Sequence, residues 1–277
     1  MNAPTISKQD YDEFRAFLES ASGIVLGDNK HYLVSSRLTS VLAEQKLASF
    51  SELVQGLKNQ RNLALRERVV DAMTTNETMW FRDVYPYEML KTILLPEFAK
   101  VKDKSLRIWS AACSSGQEPY SISMVVQEYL SANLGALSRG VQIVATDISP
   151  TMLNYAKAGA YDEVALARGL SDERRSKFFK PCEKGMEVRP EIKARVQFKP
   201  LNLLHSYTSL GKFDLIFCRN VMIYFSGESK TSILDRMGEG LNPGGCLMLG
   251  SSETPNRYTE AFVMMRNQHG AIYKLNK

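Results

Sequence analysis

The stretch LRIWSAACSSGQEPYSISM, Leu106 to Met124, indicates the fold because an apolar segment runs through a turn of small residues directly into a helix. Leu106 and Trp109 supply the bulk of a buried strand. Glu118 and Pro119 fall in the first helical turn, where proline costs little because that backbone N–H has no partner within the helix. The pattern predicts a strand, a tight turn and a helix, with the small turn residues either admitting a ligand or merely allowing a close turn.

The composition of the turn favours one kind of ligand. A dinucleotide loop needs several glycines to cradle a pyrophosphate, and this turn has only Gly116. The carboxylate of Glu118 would repel a phosphate, whereas it suits the amino group and sulfonium of S-adenosylmethionine. We therefore predict that Ala112, Gly116 and Glu118 contribute to a site for this methyl donor rather than for NAD.

Composition and charge exclude several classes of protein. The 277 residues are 44% hydrophobic and carry a formal charge of +5, which is too mild to require a nucleic-acid partner. The four cysteines and three histidines show no metal-ligand spacing, so we expect free thiols and no metal. Without a signal-peptide pattern or an apolar run of about 18 residues, a cytoplasmic protein that does not insert into membranes is expected.

The chain divides into an amino-terminal helical part and an α/β part. Apolar residues recur at helical spacing from about Ser7 to Thr75, and this segment has nine basic and nine acidic residues, hence no net charge. We predict a helical domain over 1–75, a linker with the start of the cofactor site over 76–104, and an α/β domain that holds the methyl donor over 105–277.

Three later apolar segments each finish on polar residues. They are Val141 to Ile148, Val196 to Leu204 and Phe213 to Phe225, and their terminal polar residues are Asp147, Asn202, Arg219 and Asn220. Ligands of open α/β sheets bind beyond the carboxyl ends of the strands. We expect a Rossmann-like, mostly parallel sheet with these side chains around one crevice, and an antiparallel pair of strands near the carboxyl terminus.

An insert over about 168–199 contains ten basic and five acidic residues. Its net charge of +5 equals that of the whole chain. Short β-type runs alternate there with Pro181, Gly185 and Pro190, as in a small antiparallel subdomain. The insert is either a surface for a partner or a solvated hairpin.

Asp147 follows Gly116 by 31 residues, at the end of a predicted strand. Its carboxylate is suited to accept hydrogen bonds from both hydroxyls of a ribose, with Ile148 beside it in the cofactor site. The alternative is a capping role, because the sequence Asp-Ile-Ser-Pro also indicates a helix start at Ser149.

The segment TNETMWFRD, Thr75 to Asp83, has a high density of polar groups for a linker. The planar guanidinium of Arg82 is suited to hold an acidic acceptor for in-line attack. An ion pair with Asp83 or Glu77 is the alternative.

Two further side chains, after the strand that begins at Phe213, carry open assignments. Asn220 is predicted to hold either the amino acid end of the donor or the acceptor. Tyr224 either donates a hydrogen bond to the acceptor, as a catalytic residue, or packs with its hydroxyl at the surface.

In order, the motifs NETMWFR, RIWSAACSSGQEPYSISM, ATDIS, LNLL and FDLIFCRNVMIYF resemble those of the CheR-type chemotaxis receptor methyltransferases. The resemblance covers nearly the whole chain. It implies methyl transfer from S-adenosylmethionine to glutamate side chains on cytoplasmic helices of chemoreceptors, leaving S-adenosylhomocysteine. The positions that it implies for the cofactor are Asn76, Thr78, Arg82, Glu118, Asp147, Asn202, Leu203, Asn220 and Val221, with Arg82 also near the acceptor glutamate.

Departures from the family pattern are Trp80, where phenylalanine is more frequent, and Gln117, where glutamate is common; neither removes a proposed functional group. The excursion between Phe179 and Val188 is short compared with members that tether a receptor peptide, so no tether is expected, and we expect a monomer. Two other classes of function are a cofactor-binding signalling module without transfer activity, and a methyltransferase that acts on a nucleic acid or a small molecule.

Overall fold

A computed structural model describes residues 5–101 and 104–276. These residues form two compact units. The smaller contains the described residues up to Thr75 together with Tyr224–Ser229, and the larger contains Asn76–Ile223 and the described residues from Lys230 onwards. No helix within the described ranges is long and apolar enough to cross a membrane.

The smaller unit is built from helices, as the spacing of apolar residues predicts. They are α1 (Lys8–Ser22), α2 (His31–Glu44), α3 (Phe50–Lys58) and α4 (Leu63–Met73). The hydroxyl of Ser7 accepts the Asp10 N–H at the start of α1, and that of Ser49 accepts the Glu52 N–H at the start of α3. The core of this unit consists of fully buried side chains from all four helices, among them Phe14, Leu18, Val34, Leu38, Leu53 and Val69.

The larger unit contains ten strands and the remaining helices, except that the first three residues of the last helix belong to the smaller unit. One continuous helical segment comprises α5 (Tyr85–Met89), a π-helical turn (Leu90–Leu94) and α6 (Leu95–Ala99). The other helices are α7 (Gln117–Ala132), α8 (Pro150–Ala158), α9 (Glu163–Leu166), α10 (Asp172–Phe178), α11 (Pro190–Lys193) and α12 (Gly227–Glu239). The strands are β1 (Leu106–Ala111), β2 (Val141–Asp147), β3 (Ala160–Tyr161), β4 (Phe179–Cys182), β5 (Gly185–Val188), β6 (Val196–Pro200), β7 (Phe213–Cys218), β8 (Leu241–Leu249), β9 (Phe262–Arg266) and β10 (Ala271–Leu275).

Seven strands form the main sheet in the order β6-β2-β1-β7-β8-β10-β9. The pairs from β6 to β8 are parallel, and β10 is antiparallel to both of its neighbours. All six residues of β7 are buried, as expected of a central parallel strand covered on both faces. The predicted mostly parallel α/β sheet and its antiparallel end are confirmed, whereas the sequence analysis did not find β9.

The small antiparallel subdomain has three strands in the order β3-β5-β4. It begins earlier than the insert predicted over 168–199, because Ala160 and Tyr161 pair with Glu187 and Met186. A two-residue strand carries no periodicity that a sequence pattern can reveal. At the other end of the predicted insert, Val196–Pro200 belongs to the main sheet as β6.

Both tryptophans are core residues, as the sequence predicts for Trp109. Trp109 is fully buried and donates its indole N–H to the Thr146 hydroxyl at 2.9 Å. Trp80 packs edge-on against Tyr161 and Phe179 of the small subdomain, with ring centroids 4.9 and 5.2 Å apart. Because Trp80 lies in the polar segment before α5, this packing fixes that segment against the subdomain.

The close approach of Gly169 to Trp80 provides a stability test. A Cβ atom at Gly169, where φ is +89°, would overlap the Trp80 carbonyl oxygen, whereas Gly135 has a similar φ of +82° and nothing within 4 Å. Gly135→Ala is expected to cost about 1 kcal/mol, the cost of positive φ alone. Gly169→Ala should cost at least about 2 kcal/mol, because overlap is added. Urea unfolding of both variants measures the difference, and equal losses would contradict the packing.

Candidate active site

The candidate site lies at the carboxyl ends of β1, β2 and β7. The chain order of the strands reverses at β1, which has β2 on one side and β7 on the other. Loops that leave neighbouring strands in opposite directions open a crevice at such a point. The polar residues that the sequence places at the ends of β2 and β7 therefore flank the turn after β1.

Three residues of the turn after β1 have left-handed backbone angles: Ala112 (φ 56°), Ser114 (φ 49°) and Gly116 (φ 94°). A Cβ at Gly116 would lie 2.9 Å from the Ala156 Cβ and 3.0 Å from the Tyr161 hydroxyl. Close packing against α8 and β3 thus explains this glycine, as the alternative interpretation of the small residues requires. Any contact of Gly116 with a ligand would be made by its backbone.

Asp147 is held at the end of β2 by backbone hydrogen bonds to both carboxylate oxygens. Oδ2 accepts the Ser114 N–H at 2.7 Å, and Oδ1 accepts the Ser149 N–H at 2.9 Å. The cap of α8 is the Ser149 hydroxyl, which accepts the Met152 N–H at 3.1 Å. Asp147 therefore does not cap the helix itself; it fixes the turn after β1 to the start of α8.

Glu118 is buried in the first turn of α7. Its Oε1 accepts a hydrogen bond from the Ser110 hydroxyl at 2.8 Å, and its Oε2 lies 3.1 Å from Nη1 of Arg219. Burial raises the pKa of Glu118, and Arg219 and Ser110 oppose that shift without cancelling it. The carboxylate thus depends on Arg219 for its charge compensation.

Arg219, the first residue after β7, has a side chain only 1% exposed. In addition to Glu118, its Nη2 donates to the Arg82 carbonyl at 2.8 Å and to Oδ2 of Asp83 at 2.7 Å. Burial alone would lower the pKa of Arg219, but Glu118, Tyr87 and Asp83 together raise it above its ordinary value. The sequence analysis placed Arg219 in the crevice but gave it no role; a charged residue directly after six buried strand residues was the available signal.

Glu253 is a further buried acid, which the sequence analysis missed. Its carboxylate accepts the N–H groups of Asn220, Met222 and Gly250 at 2.7 to 2.8 Å. These bonds hold the turn after β7, in which Asn220 has φ of +58°. The sequence signal was an acidic residue in a polar run after an apolar strand, which is too common to assign.

The side-chain amide of Asn220, in the turn after β7, has an unusual environment. Its Oδ1 is buried and has no hydrogen-bond partner within the described part of the chain. A buried acceptor without a partner costs roughly 1 to 3 kcal/mol. The oxygen is therefore matched to a donor that the protein itself does not supply.

The segment before α5 reaches the same region through its backbone. The Asn76 carbonyl accepts the Ser114 hydroxyl at 2.9 Å, and the Phe81 N–H donates to the Ser121 hydroxyl at 3.2 Å. The polar segment is thereby attached to the turn after β1 and to α7. Thr78, which the resemblance assigns to the cofactor, is half-buried in it.

Arg82 is half-buried, and its guanidinium donates to the Glu77 carbonyl at 3.2 Å. The ion pairs proposed as its alternative role are made by other arginines: the Glu77 carboxylate pairs with Arg168, and Asp83 pairs with Arg219. Arg82 therefore forms no ion pair with Glu77 or Asp83.

The remaining assigned residues lie in three places. Asn202 follows β6 and its Oδ1 accepts the Leu204 N–H, while the carbonyl of the buried Leu203 accepts from the Tyr207 hydroxyl and from Arg236. Ile148 and Val221 are half-buried, directly after Asp147 and Asn220. Tyr224 belongs to the smaller unit, where its carbonyl accepts the Val25 N–H at 2.9 Å. The larger unit therefore does not itself supply the Tyr224 hydroxyl.

Within residues 5–101 and 104–276, no three histidine, cysteine, aspartate or glutamate side chains are grouped as metal ligands. The buried thiols of Cys113 and Cys218 have pKa values well above the usual range, because burial disfavours the thiolate.

Comparison with known proteins identifies two consecutive family regions. Residues 9–74 match the all-alpha domain of CheR methyltransferases, and residues 76–271 match their SAM-binding domain. The chain is 54% identical over 267 residues to the chemotaxis protein methyltransferase Cher2 of Pseudomonas putida, covering 96% of this chain and 97% of the relative. It is 56% identical to chemotaxis protein methyltransferase 1 of Pseudomonas aeruginosa with the same coverage, and 33% identical to the Escherichia coli chemotaxis protein methyltransferase over 98% and 92% of the two chains.

These matches confirm the resemblance that the ordered motifs indicate, and they assign S-adenosylmethionine as the cofactor. They cover both the helical region and the larger α/β region. The chain belongs to the CheR methyltransferase family of S-adenosylmethionine-dependent methyltransferases.

Proposed function

We propose that this protein transfers a methyl group from S-adenosylmethionine to glutamate carboxylates on cytoplasmic helices of chemoreceptors, for chemosensory adaptation. The products are glutamyl methyl esters and S-adenosylhomocysteine. The observation that carries the proposal is identity above 50%, over nearly the full length, to relatives named chemotaxis protein methyltransferases. The intact polar groups of the site argue against a signalling module that has lost its transfer activity.

The polar groups at the strand ends fit the proposed cofactor. S-Adenosylmethionine carries ribose hydroxyls and an amino group as donors, and a sulfonium cation whose methyl group is electrophilic. The buried Asn220 Oδ1 lacks a donor, and the carboxylates of Asp147 and Glu118 are fixed by hydrogen bonds in the same crevice. We propose Asp147 for the ribose and Asn220 for the amino acid end.

The further assigned positions complete that proposal. Ala112, Gly116, Ile148, Leu203 and Val221 would contribute backbone or apolar surface, and Asn76, Thr78 and Asn202 would contribute polar groups.

The protein's task in this reaction is mainly positioning. A glutamate side chain has a reference pKa of about 4.3 and is ionised near neutral pH, so no general base has to remove a proton. Arg82 would hold one carboxylate oxygen through its fork of N–H donors and direct the other toward the methyl group. Exclusion of water from the crevice protects the reactive alignment.

Partner and assembly assignments remain part of the proposal. Tyr224 would donate a hydrogen bond to the acceptor as a second catalytic group. The basic insert would contact a partner without tethering a receptor peptide, because the excursion between Phe179 and Val188 is short. Two half-buried lysines of the insert, Lys180 and Lys193, are paired with Glu187. We also propose that the protein acts as a monomer in the cytoplasm. The proposed regions are a helical domain over 1–75, a linker with the start of the cofactor site over 76–104, and a methyltransferase domain over 105–277.

The direct test is tritium transfer from labelled S-adenosylmethionine to membranes that carry the host's chemoreceptors. Treatment with mild alkali then releases methanol from carboxyl esters but not from N-methyl groups. Alkali-labile label on receptor glutamates is the expected result. Cofactor binding without transfer to competent receptors would instead support the signalling module.

Asp147→Asn should weaken S-adenosylhomocysteine binding by about tenfold or more, because a charge-assisted hydrogen bond contributes roughly 1.5 to 3 kcal/mol. Calorimetric titration measures the affinity. Asp214→Asn is the matched control: Asp214 is also buried and accepts the Arg107 N–H at 3.0 Å, but it lies near the opposite end of β7. Both variants should lose stability, and an unchanged affinity for Asp147→Asn would remove its ribose role.

Asn220→Gly separates ligand binding from stability. Glycine accepts the φ of +58° without strain, and the deleted Oδ1 has no partner among the described residues. We expect the affinity for S-adenosylhomocysteine to fall by about tenfold, with little change in the urea midpoint. A loss of stability with unchanged affinity would show that Asn220 serves the turn alone.

Arg82→Ala should reduce methyl transfer to receptors far more than it reduces the melting temperature. The guanidinium makes a single half-exposed hydrogen bond to the Glu77 carbonyl, so the fold loses little with it. We expect kcat/KM for the receptor to fall by about a hundredfold or more, as for loss of a charged contact to the reacting group. A variant that melts early but keeps normal specific activity would contradict this role, and its affinity for S-adenosylhomocysteine tests the cofactor contact.

A further inference from the structure

Arg219 connects three parts of the larger unit that meet at the site. Its backbone lies at the end of β7, its Nη1 is 3.1 Å from Glu118 of α7, and its Nη2 contacts the segment before α5. That second nitrogen bonds both the Arg82 carbonyl at 2.8 Å and the Asp83 carboxylate at 2.7 Å. The buried guanidinium of Arg219 thus binds both the carboxylate of Glu118 and the backbone of Arg82.

The backbone that Arg219 holds is strained. Phe81, Asp83 and Val84 all have positive φ, at 49°, 66° and 54°. Val84 is β-branched, for which a positive φ is unfavourable. Because Val84 is 60% exposed, burial of its side chain does little to offset the free-energy cost of this conformation. Such residues cost on the order of 1 to 3 kcal/mol each and persist only where neighbouring contacts impose them.

The contacts that impose this conformation lie on either side of Arg82. The Phe81 N–H donates to the Ser121 hydroxyl of α7, and the guanidinium carbon of Arg174 lies 3.8 Å from the centre of the Phe81 ring. On the other side, Asp83 is held by Arg219. Arg82 is therefore the residue between two anchored neighbours, which fix its backbone and the direction in which its side chain leaves the backbone.

We infer that Arg219 is a positioning residue for methyl transfer, which sets Arg82 relative to Glu118 by holding the backbone around Arg82 and the Glu118 carboxylate with opposite nitrogens of one planar group. The inference rests on the proposed function, in which Arg82 holds the acceptor glutamate. It also uses Glu118, which the sequence analysis assigns to the cofactor site. Arg219 itself touches neither reactant in this arrangement.

The planar fork explains why arginine is suited to this position. Nη1 and Nη2 point in fixed, diverging directions, so the two groups that they bind are held at a defined separation. A lysine supplies one ammonium group and would engage Glu118 or Asp83, leaving the other buried contact unmade. Charge alone is therefore insufficient for the positioning role.

Asp83→Asn is the sharpest test because it weakens the contact of Arg219 with the segment around Arg82 and leaves Glu118 unchanged. Asp83 accepts from Nη2 of Arg219, whereas Glu118 accepts from Nη1. We expect kcat for receptor methylation, at saturating S-adenosylmethionine, to fall by about tenfold. The dissociation constant of S-adenosylhomocysteine, measured by calorimetry, should stay within about twofold. Glu163→Gln, which neutralises the exposed partner of Arg175 and changes no contact of Arg219, is the matched control and should behave as wild type.

Arg219→Lys supplies the second measurement. It should lower kcat at least as much as Asp83→Asn and also weaken S-adenosylhomocysteine binding, since Glu118 loses its fixed partner. In the double variant the effects on kcat should not add, because both changes break the same contact.

The outcomes separate this inference from the proposed function. If wild-type protein does not methylate receptors, the proposed function fails before the variants are compared. If wild type is active and Asp83→Asn retains normal kcat, or if both variants lose only thermal stability, the positioning role is overturned. A loss of kcat with unchanged cofactor affinity in Asp83→Asn supports it.

Discussion

The buried ion pair between Glu118 and Arg219 is the interaction on which the site depends. Removing one member of such a pair leaves an uncompensated buried charge and typically costs 3 to 5 kcal/mol. Around this pair, Ser110 donates to Glu118, and Asp83 and the Arg82 carbonyl accept from Arg219. Nε of Arg219 has no hydrogen-bond partner among the described residues. Strand β1, helix α7, the end of β7 and the segment before α5 are thus constrained to meet at one place.

Two other buried acids, Asp147 and Glu253, serve the backbone at the same edge of the sheet. Asp147 accepts two N–H groups and Glu253 accepts three. Loops after parallel strands have unsatisfied backbone donors, and a carboxylate satisfies several of them at once. The turns that carry Ser114 and Asn220 are fixed in this way, although both residues have left-handed backbone angles. The site is therefore held in shape by the protein's own hydrogen bonds.

Local sequence patterns were sufficient to predict those features that depend on a single segment of the chain. The helical spacing before Thr75, the apolar strands and the small-residue turn predicted the elements and the edge of the sheet where polar groups meet. Predictions were incomplete for features that depend on contacts with residues distant in sequence. The two-residue strand β3 exists because it pairs with β5, and Gly116 is small because Ala156 and Tyr161 lie against it. The alternative role for Arg82, an ion pair with Asp83 or Glu77, is not formed, because Asp83 pairs with Arg219 and Glu77 pairs with Arg168.

The sequence by itself determined the α/β class, the helical amino-terminal region, the family and the kinds of chemical group at the site. These follow from periodicity, from residues at strand ends and from ordered motifs, all of which are local or linear properties. The tertiary structure alone decided which charges pair, which carboxylates hold backbone and which amide oxygen lacks a donor. Those depend on distances between segments up to 137 residues apart, such as Arg82 and Arg219. Electrostatic compensation in a buried site is a property of three-dimensional neighbours, and the order of residues does not specify it.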